Sequence, residues 1–407
     1  MAVKYTVAAI DVGTTKICTL IGEVDEMDRL RIVGVGLVPS RGVRKGMVVN
    51  VAKASEAILE SVERAERISG YTVERALVGV GGQHIQAINS QGVAAVSRSS
   101  RGVTLADVNR ALEAARAVPL PHNRQIIHVI PRFYTLDGLR GIQDPLGLYG
   151  FRLEVDAHVV TGSSTAIRNL VKCVEEAGVE VAELILQPLA AAEAVLTDAE
   201  REMGVAVVDI GGGTTDIGIF IDSAICHTVI LPTGGDHLTN DVAVGLRAPF
   251  ASAEEVKIQY GHALPEALEE ERIEIVPFGD GGRRSVSRRF LAQIVRVRTE
   301  EIFDLIQQEV KRSGYSELMP AGLVLCGGTG GLEGIEALGR EVVQLPIRVG
   351  RAHDIHGLID SIEGPAFATS VGLLMWGMHH PRMDVSESER PNTWQRIMQW
   401  LRAFLPG

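Results

Sequence analysis

At 407 residues, with 46% hydrophobic and 22% charged side chains, the chain is long enough for two or three domains and apolar enough to bury a large core, which excludes global disorder. A formal net charge of −11 argues against non-specific binding to DNA or RNA, because neutralising phosphates needs a basic surface. Four cysteines (Cys18, Cys173, Cys226, Cys326) lie far apart with no C-x-x-C, so they read as reduced core residues of a cytosolic protein, not as a zinc site or a disulfide framework. The N-terminus carries no signal-peptide pattern, and no stretch approaches the ~20 apolar residues of a spanning helix.

In chain order, the pattern predicts strands near 5–10, 17–24 and 31–37, then a helix over about 52–69. A strand-rich segment follows at 77–162. "STAIRNLVKCVEEAG" reads as a helix stopped by Gly178, followed by the strand "VEVAELIL" and the apolar helix "LQPLAAAEAVL" (186–196). The second half repeats the scheme, with an insertion from about 246 to 310.

Two stretches share one plan. "YTVAAIDVGTTKICTLIGEV" (5–24) and "GVAVVDIGGGTTDIGIFIDS" (204–223) each run from a β-branched strand through Asp, Gly and Thr into a second strand. Glycines let such a turn bring backbone N–H groups against an anion, threonine hydroxyls donate further bonds, and an aspartate at the strand end suits Mg²⁺ or its waters. One such turn is an ordinary glycine-rich hairpin; two matching copies point to a clamp on a polyphosphate. A P-loop or Rossmann site would place a helix straight after the loop, whereas "ICTLIGEV" and "IGIFIDS" are strand-like. A third cluster, "GLVLCGGTGGLEGIEAL" (322–338), follows a strand and opens a helix but has no acidic ribose partner ~20 residues on, so it reads as the nucleoside half of the same site.

With these motifs in order the chain resembles the actin, Hsp70 and sugar-kinase superfamily. "DVGTTK" matches the first phosphate motif, "LQPLAAAEAVL" the first connecting helix, "DIGGGTTD" the second phosphate motif, "LCGGTGGLEG" the adenosine motif and "GPAFATSVGLLMW" (364–376) the second connecting helix. Within it the resemblance is to the bacterial cell-division FtsA family, over nearly the whole chain, carried by 77–97, 231–263 and 288–306; "LRAP" departs from the Thr-Pro of many relatives but touches no phosphate motif.

The resemblance implies an α/β, actin-like, two-lobed duplicated ribonuclease-H-like fold. Subdomain 1A would span 1–83 and 163–203, the inserted 1C 84–162, 2A 204–245 and 311–378, and 2B 246–310. It further implies that ATP and Mg²⁺ bind between the lobes. Asp11 and Asp209 would orient Mg²⁺ partly through water, and Gln187 the attacking water. Gly13, Thr14, Thr15 and Lys16 would hold the phosphates from one side, and Gly211, Gly212, Gly213, Thr214 and Thr215 from the other. Gly235, Glu255, Lys257, Gly327, Gly328, Thr329 and Gly330 would contact the nucleoside, with a solvated helix face as the competing reading for Glu255 and Lys257. Whether ATP is hydrolysed stays open. In the arginine-rich run 281–301, solvated surface competes with a docking site for the acidic and apolar C-terminal tail of FtsZ, which the resemblance places at Arg298, with Arg296 and Gln293.

Residues 379–391 are polar and aperiodic, a flexible linker. In 392–407, Asn392 can cap a helix with Gln395 three residues on, and Trp394, Ile397, Met398, Leu401, Phe404 and Leu405 fall on one arc with Trp400 beside it. A helix of ~14 residues is only ~21 Å long, too short for a ~30 Å hydrocarbon core, so it lies on an anionic membrane surface or against protein. Tryptophans beside Arg396 and Arg402 suit an interfacial anchor. The expected protein is an ATP-binding adaptor that tethers FtsZ filaments to the inner face of the cytoplasmic membrane at the division site, self-associates and meets other divisome proteins. An actin-like component of pilus biogenesis and a small-molecule kinase are the alternatives.

Overall fold

A computed structural model describes residues 3–97, 102–279, 282–358, 360, 362 and 364–380. The first lobe opens with strands β1 (Val3–Val12), β2 (Lys16–Asp25) and β3 (Leu30–Pro39), a short hairpin β4 (Val43–Arg44) and β5 (Met47–Val48), helix α1 (Val51–Ser69) and strand β6 (Arg75–Val80). An inserted domain follows: β7 (Gln86–Ala95), α2 (Leu105–Arg116), β8 (Arg124–Leu136), β9 (Leu139–Ile142) and β10 (Arg152–Ser163). The chain returns through α3 (Ser164–Glu176), β11 (Glu180–Leu186), α4 (Gln187–Val195) and α5 (Asp198–Met203). The second lobe holds β12 (Val205–Ile210), β13 (Thr215–Ile221), β14 (Ala224–Leu231), α6 (Gly235–Leu246), α7 (Phe250–Tyr260), β15 (Arg272–Ile275), β16 (Arg284–Ser287), α8 (Arg288–Ser313), β17 (Leu323–Cys326), α9 (Ile335–Val343) and β18 (Ile347–Val349). Strand β19 (Ile355–Gly357) and helix α10 (Ala368–His379) return to the first lobe.

The two lobes are copies of one plan. In the first, the order is β11-β6-β1-β2-β3-β19, with β1, β2 and β3 antiparallel and β6 parallel to β1. In the second it is β14-β13-β12-β17-β18, with β12, β13 and β14 antiparallel and β17 parallel to β12. Alternating and continuous runs of Val, Ile and Ala suit strands covered on both faces, and residues such as Ile10, Ile17, Leu20, Val207 and Ile217 are fully buried. Helix α1 starts where the Asn50 side chain accepts from the Lys53 amide at 3.0 Å and stops at Gly70, whose φ of 77° only glycine adopts cheaply.

The inserted domain has its own four-stranded sheet, β7-β10-β8-β9, covered by α2, with a separate core around Val103, Ala111, Leu153 and Val155. The expected start of this strand-rich region at 77 is corrected: residues 75–80 form β6 of the first-lobe sheet, and the insert holds a helix as well. The 246–310 insertion comprises α7, the β15–β16 hairpin and most of α8. It does not close at 310, because α8 continues to Ser313 and buries Ile302, Phe303, Ile306 and Val310 in the second-lobe core. Residues 381–407, with Trp394, Ile397, Met398, Trp400, Leu401, Phe404 and Leu405 of the expected amphipathic helix, lie outside the described residues.

The lobes meet at α4 and α10, which cross so closely that a methyl on Gly372 would strike the Ala190 carbonyl. We expect Gly372→Ala to force this crossing apart and cost about 1–3 kcal/mol by overpacking, read as a lower thermal midpoint than for Gly331→Ala, where an added methyl meets only Pro365 atoms at 3.2 Å or more.

Candidate functional site

A cleft of about 810 Å³ separates the lobes, a size suited to a small ligand. Its floor is made by the two matched turns. In the first lobe Val12 pairs with Ile17 across the β1–β2 turn, closed by the Gly13 amide donating to the Lys16 carbonyl at 3.0 Å. In the second, Ile210 pairs with Thr215, and the Gly211 amide donates to the Thr214 carbonyl at 2.9 Å. The turns face each other: a methyl on Gly213 would sit 2.7 Å from the Thr14 hydroxyl, and one on Gly212 would strike the Thr15 side chain. Thr14 also accepts from the Gly46 amide at 3.1 Å, so the β4–β5 turn braces the β1–β2 turn.

Asp11 and Asp209 end equivalent strands, and the N-terminus of α10 serves both. The Ser370 hydroxyl donates to Asp11 at 2.8 Å and the Thr369 hydroxyl to Asp209 at 2.6 Å, with the positive end of the helix dipole behind them. Gln187, the first residue of α4, donates to Asp11 at 3.3 Å. Lys16 bonds the Ala366 carbonyl, and its ammonium lies 3.7 Å from the centre of the Phe367 ring.

Asp216 completes the group, directly opposite Asp209 in the β12–β13 register. It is 2% exposed, and its Oδ1 is buried without a hydrogen-bond partner. Burial pushes all three carboxyls up: Asp11 in direction, Asp209 to about 6, and Asp216, with Asp209 adding repulsion, to about 8. Burial likewise lowers Lys16, against the pull of Asp11.

Gly13, Thr14, Thr15, Lys16, Gly211, Gly212, Gly213, Thr214, Gly235, Lys257, Gly327, Gly328 and Thr329 line the cleft with Asp11, Asp209 and Gln187. Thr215 and Gly330 sit behind that lining; the Thr215 hydroxyl donates to the Thr233 carbonyl at 2.9 Å. Glu255 is corrected: it is exposed on the outer side of α7, and Glu254 faces the cleft, paired with Lys257 at 2.7 Å. One residue is ~100° of helix, so a one-residue error changes the face. Phe250 and Ile258, exposed apolar side chains on the same helix, join the wall.

The three α8 residues do not form one face. Arg298 is clamped by Asp241 of α6 at 2.5 and 3.1 Å and by Glu301 at 2.5 Å, while Arg296, on the other flank, pairs with Glu266, Glu300 and Glu341. Gln293 lies on the exposed ridge between them, with Phe290 and Val297.

Comparison with known proteins decides the family. The family model for "Cell division protein FtsA" matches residues 206–372, and that for "SHS2 domain inserted in FTSA" matches 82–161. The chain is 43% identical over 373 residues to the cell division protein FtsA of Pseudomonas aeruginosa, covering 91% of this chain and 89% of that one. It belongs to the FtsA family of cell division proteins. Similarity to the FtsA of Escherichia coli K12 is 33% over 413 residues, 98% of each chain. Among solved structures, the PilM-PilN type IV pilus biogenesis complex aligns with a TM-score of 0.66 at 15% identity, covering 91% of this chain and 98% of that one. MreB5 of Spiroplasma citri bound to AMPPNP aligns at 0.58 and 13%, covering 93% and 98%. These two likenesses establish the actin-like fold and nothing finer. The family gives this FtsA-type chain an actin-like cell-division role.

The sequence motifs do not single out Asp216, although "DIGGGTTD" carries an aspartate at each end, nor the Thr-Ser pair that opens α10. We expect Asp216→Asn to raise the thermal midpoint of the nucleotide-free protein at pH 8 by a few degrees, about 1 kcal/mol or more, since it removes a buried carboxyl disfavoured there. The sign follows from the raised folded value: between the usual carboxylate range and about 8, the unfolded chain releases a proton that the folded chain retains, so stability falls as pH rises. The variant should flatten that slope.

Proposed function

We propose that this chain binds Mg·ATP in the cleft and works as an adaptor that ties FtsZ filaments to the inner face of the cytoplasmic membrane, self-associating as it does so. The observation that carries the nucleotide reading is the pair of turns meeting across the cleft over buried, mutually repelling carboxylates.

The residues fit the group. Backbone amides of the 13–15 and 211–214 turns and the Thr14 and Thr15 hydroxyls would hold β- and γ-phosphates, and Lys16 would exchange the Ala366 carbonyl for a phosphate oxygen. Among the described residues no three acidic, His or Cys side chains converge closely enough to hold a metal alone, so Mg²⁺ would rest on phosphate oxygens and on waters oriented by Asp11 and Asp209. When bound, Mg²⁺ supplies charge neutralisation for the phosphates. The Asp216 carboxylate lies beside Gln187 on this polar floor, and its Oδ1, buried without a partner, suits a held water. Glu254, Lys257, Phe250 and Ile258 on one side and the 327–332 loop on the other would embrace the nucleoside. Asp209→Ala should weaken Mg-dependent ATP binding in calorimetry by about 1–3 kcal/mol while leaving a folded chain; unchanged affinity sinks the site.

Family membership supports docking on FtsZ. Because Arg296 and Arg298 already satisfy internal carboxylates, the ridge Phe290, Gln293 and Val297 is the accessible part of α8, and its two arginine flanks lend positive charge to an incoming acidic and apolar tail. Among the described residues no helix is long and apolar enough to cross a membrane, so the tether is assigned to 392–407 on the sequence pattern. Six apolar side chains could each contribute ~1–2 kcal/mol on leaving water and Arg396 and Arg402 ~1 kcal/mol each near anionic lipid, against the costs of ordering, so several tails on one filament bind better than one. Co-sedimentation with anionic liposomes tests both. Deleting 392–407 should abolish lipid recovery and keep FtsZ and ATP binding; Val297→Glu should lose FtsZ and keep lipid. A truncated chain that unfolds, or a Val297→Glu chain that still recruits FtsZ, defeats the corresponding half.

A further inference from the structure

The inserted domain belongs to the first lobe by chain connection, yet its sheet packs β7, β8 and β10 against β14, the outer strand of the second lobe. Across this seam runs one hydrogen-bond chain with a single consistent set of donors. The Asn89 amide nitrogen donates to the Cys226 carbonyl at 3.1 Å, so its oxygen faces His158 Nδ1 at 2.7 Å, and that nitrogen carries the proton. His158 Nε2 is then an acceptor and takes the Thr228 hydroxyl at 3.0 Å. His158 is 1% and Thr228 6% exposed, so water does not compete. Burial, with His227, Arg132 and His128 nearby, pushes His158 down to about 3 and keeps its imidazole neutral in this tautomer. At the rim, Gln143 donates to the Asp222 carbonyl at 3.3 Å, and Arg132 lies 5.8 Å from the centre of the Tyr315 ring.

The other end of the insert grips the cleft. Arg124 donates to the His84 carbonyl at 3.1 Å and to the Thr161 carbonyl at 2.9 Å, binding β8 and β10 to the β6–β7 loop. In that loop a methyl on Gly81 would strike the Gln187 amide oxygen, and one on Gly46 would lie 2.7 Å from the Gly82 Cα. The insert is thus fixed to the cleft wall of one lobe and to β14 of the other, so a rotation of the lobes about the α4–α10 crossing would shear the seam.

We propose that the inserted domain is a strut between the lobes, locked by the Asn89–His158–Thr228 chain, and that this lock has to open for the cleft to release its nucleotide. The seam yields, because its other anchorage is covalent and backbone-packed while the seam is held by side-chain hydrogen bonds. The gating rests on the reading of the cleft as a nucleotide site.

Thr228→Val in the full chain preserves volume and leaves His158 Nε2 buried without a donor; Thr228→Ser keeps the hydroxyl. Two readouts apply: hydrogen exchange of β7, β10 and β14 amides without nucleotide, and release of a fluorescent ATP analogue on chasing with excess ATP. Thr228→Val should speed both by about 5- to 100-fold, the range for one unpaired buried group, with Thr228→Ser near wild type. Unchanged exchange in a folded Thr228→Val chain overturns the lock, and faster exchange with unchanged release overturns the gating. A wild-type chain that binds no analogue defeats the nucleotide reading, and the exchange arm then judges the lock by itself. If Thr228→Val does not fold, Asn89→Ala, which removes the donor to Cys226, is held to the same two outcomes.

Discussion

Three carboxylates buried at the junction of two lobes are the constraint around which the rest is arranged. Isolated in low dielectric, Asp11, Asp209 and Asp216 repel one another and cannot all ionise without compensation. The fold offers partial compensation symmetrically: Ser370 to Asp11, Thr369 to Asp209, both from the first turn of α10, and Lys16 from the β1–β2 turn. Among the described residues Asp216 Oδ1 has no hydrogen-bond partner. A floor this poorly neutralised is a stability cost, the signature of a site shaped for an occupant more than for the empty protein.

That constraint explains why the connecting helices are so small in cross-section. To aim the α10 N-terminus at both aspartates, α10 must lie between the sheets and against α4, and only Gly372 beside Ala190 allows that approach. The alanine-rich "LAAAEAV" and the glycine in "TSVGLLMWG" are packing requirements of the junction as much as helix-forming choices. An ion pair at the lobe boundary restrains the same joint: Arg348 of β18 bonds both Glu200 carboxylate oxygens, at 2.6 and 2.7 Å, and the Val195 carbonyl. Burial raises Glu200, but the Arg348 and Thr197 hydrogen bonds outweigh it and hold the carboxyl down at about 2, so this contribution persists above the ordinary carboxylate range and fades only as pH falls toward 2.

The strands and turns are legible in the sequence because their signals are local. A β-branched run, an Asp-x-Gly turn and a second run describe a hairpin without reference to anything distant, and two copies supply the duplication. Helix phase and charge pairing are not local in that sense. Ala253 and Val256 set the buried face of α7, yet "AEEVK" offers two adjacent glutamates, and only the position of α6 decides that Glu254 meets the cleft. Arg298 reads as free positive charge until Asp241, 57 residues earlier, is brought against it. Asp216 is hidden for the opposite reason: in the alternating pattern "TTDIGIF" it passes for an ordinary strand residue, and its strangeness lies in one buried carboxylate oxygen left unpaired, which no sequence displays.

The insert adds a second route between the lobes beyond the α4–α10 joint, and the two routes differ in kind. The joint is close packing of small residues; the seam on β14 is a polar chain that is either fully made or broken, because each of its donors has one acceptor. A hinge of the first kind changes angle continuously. Adding a contact of the second kind makes the angle favour one setting and gives departures from it a threshold, since one unpaired buried imidazole costs more than a small rotation recovers. An actin-like body that self-associates, as proposed here, gains from that threshold, because the orientation of the insert is then tied to the state of the cleft.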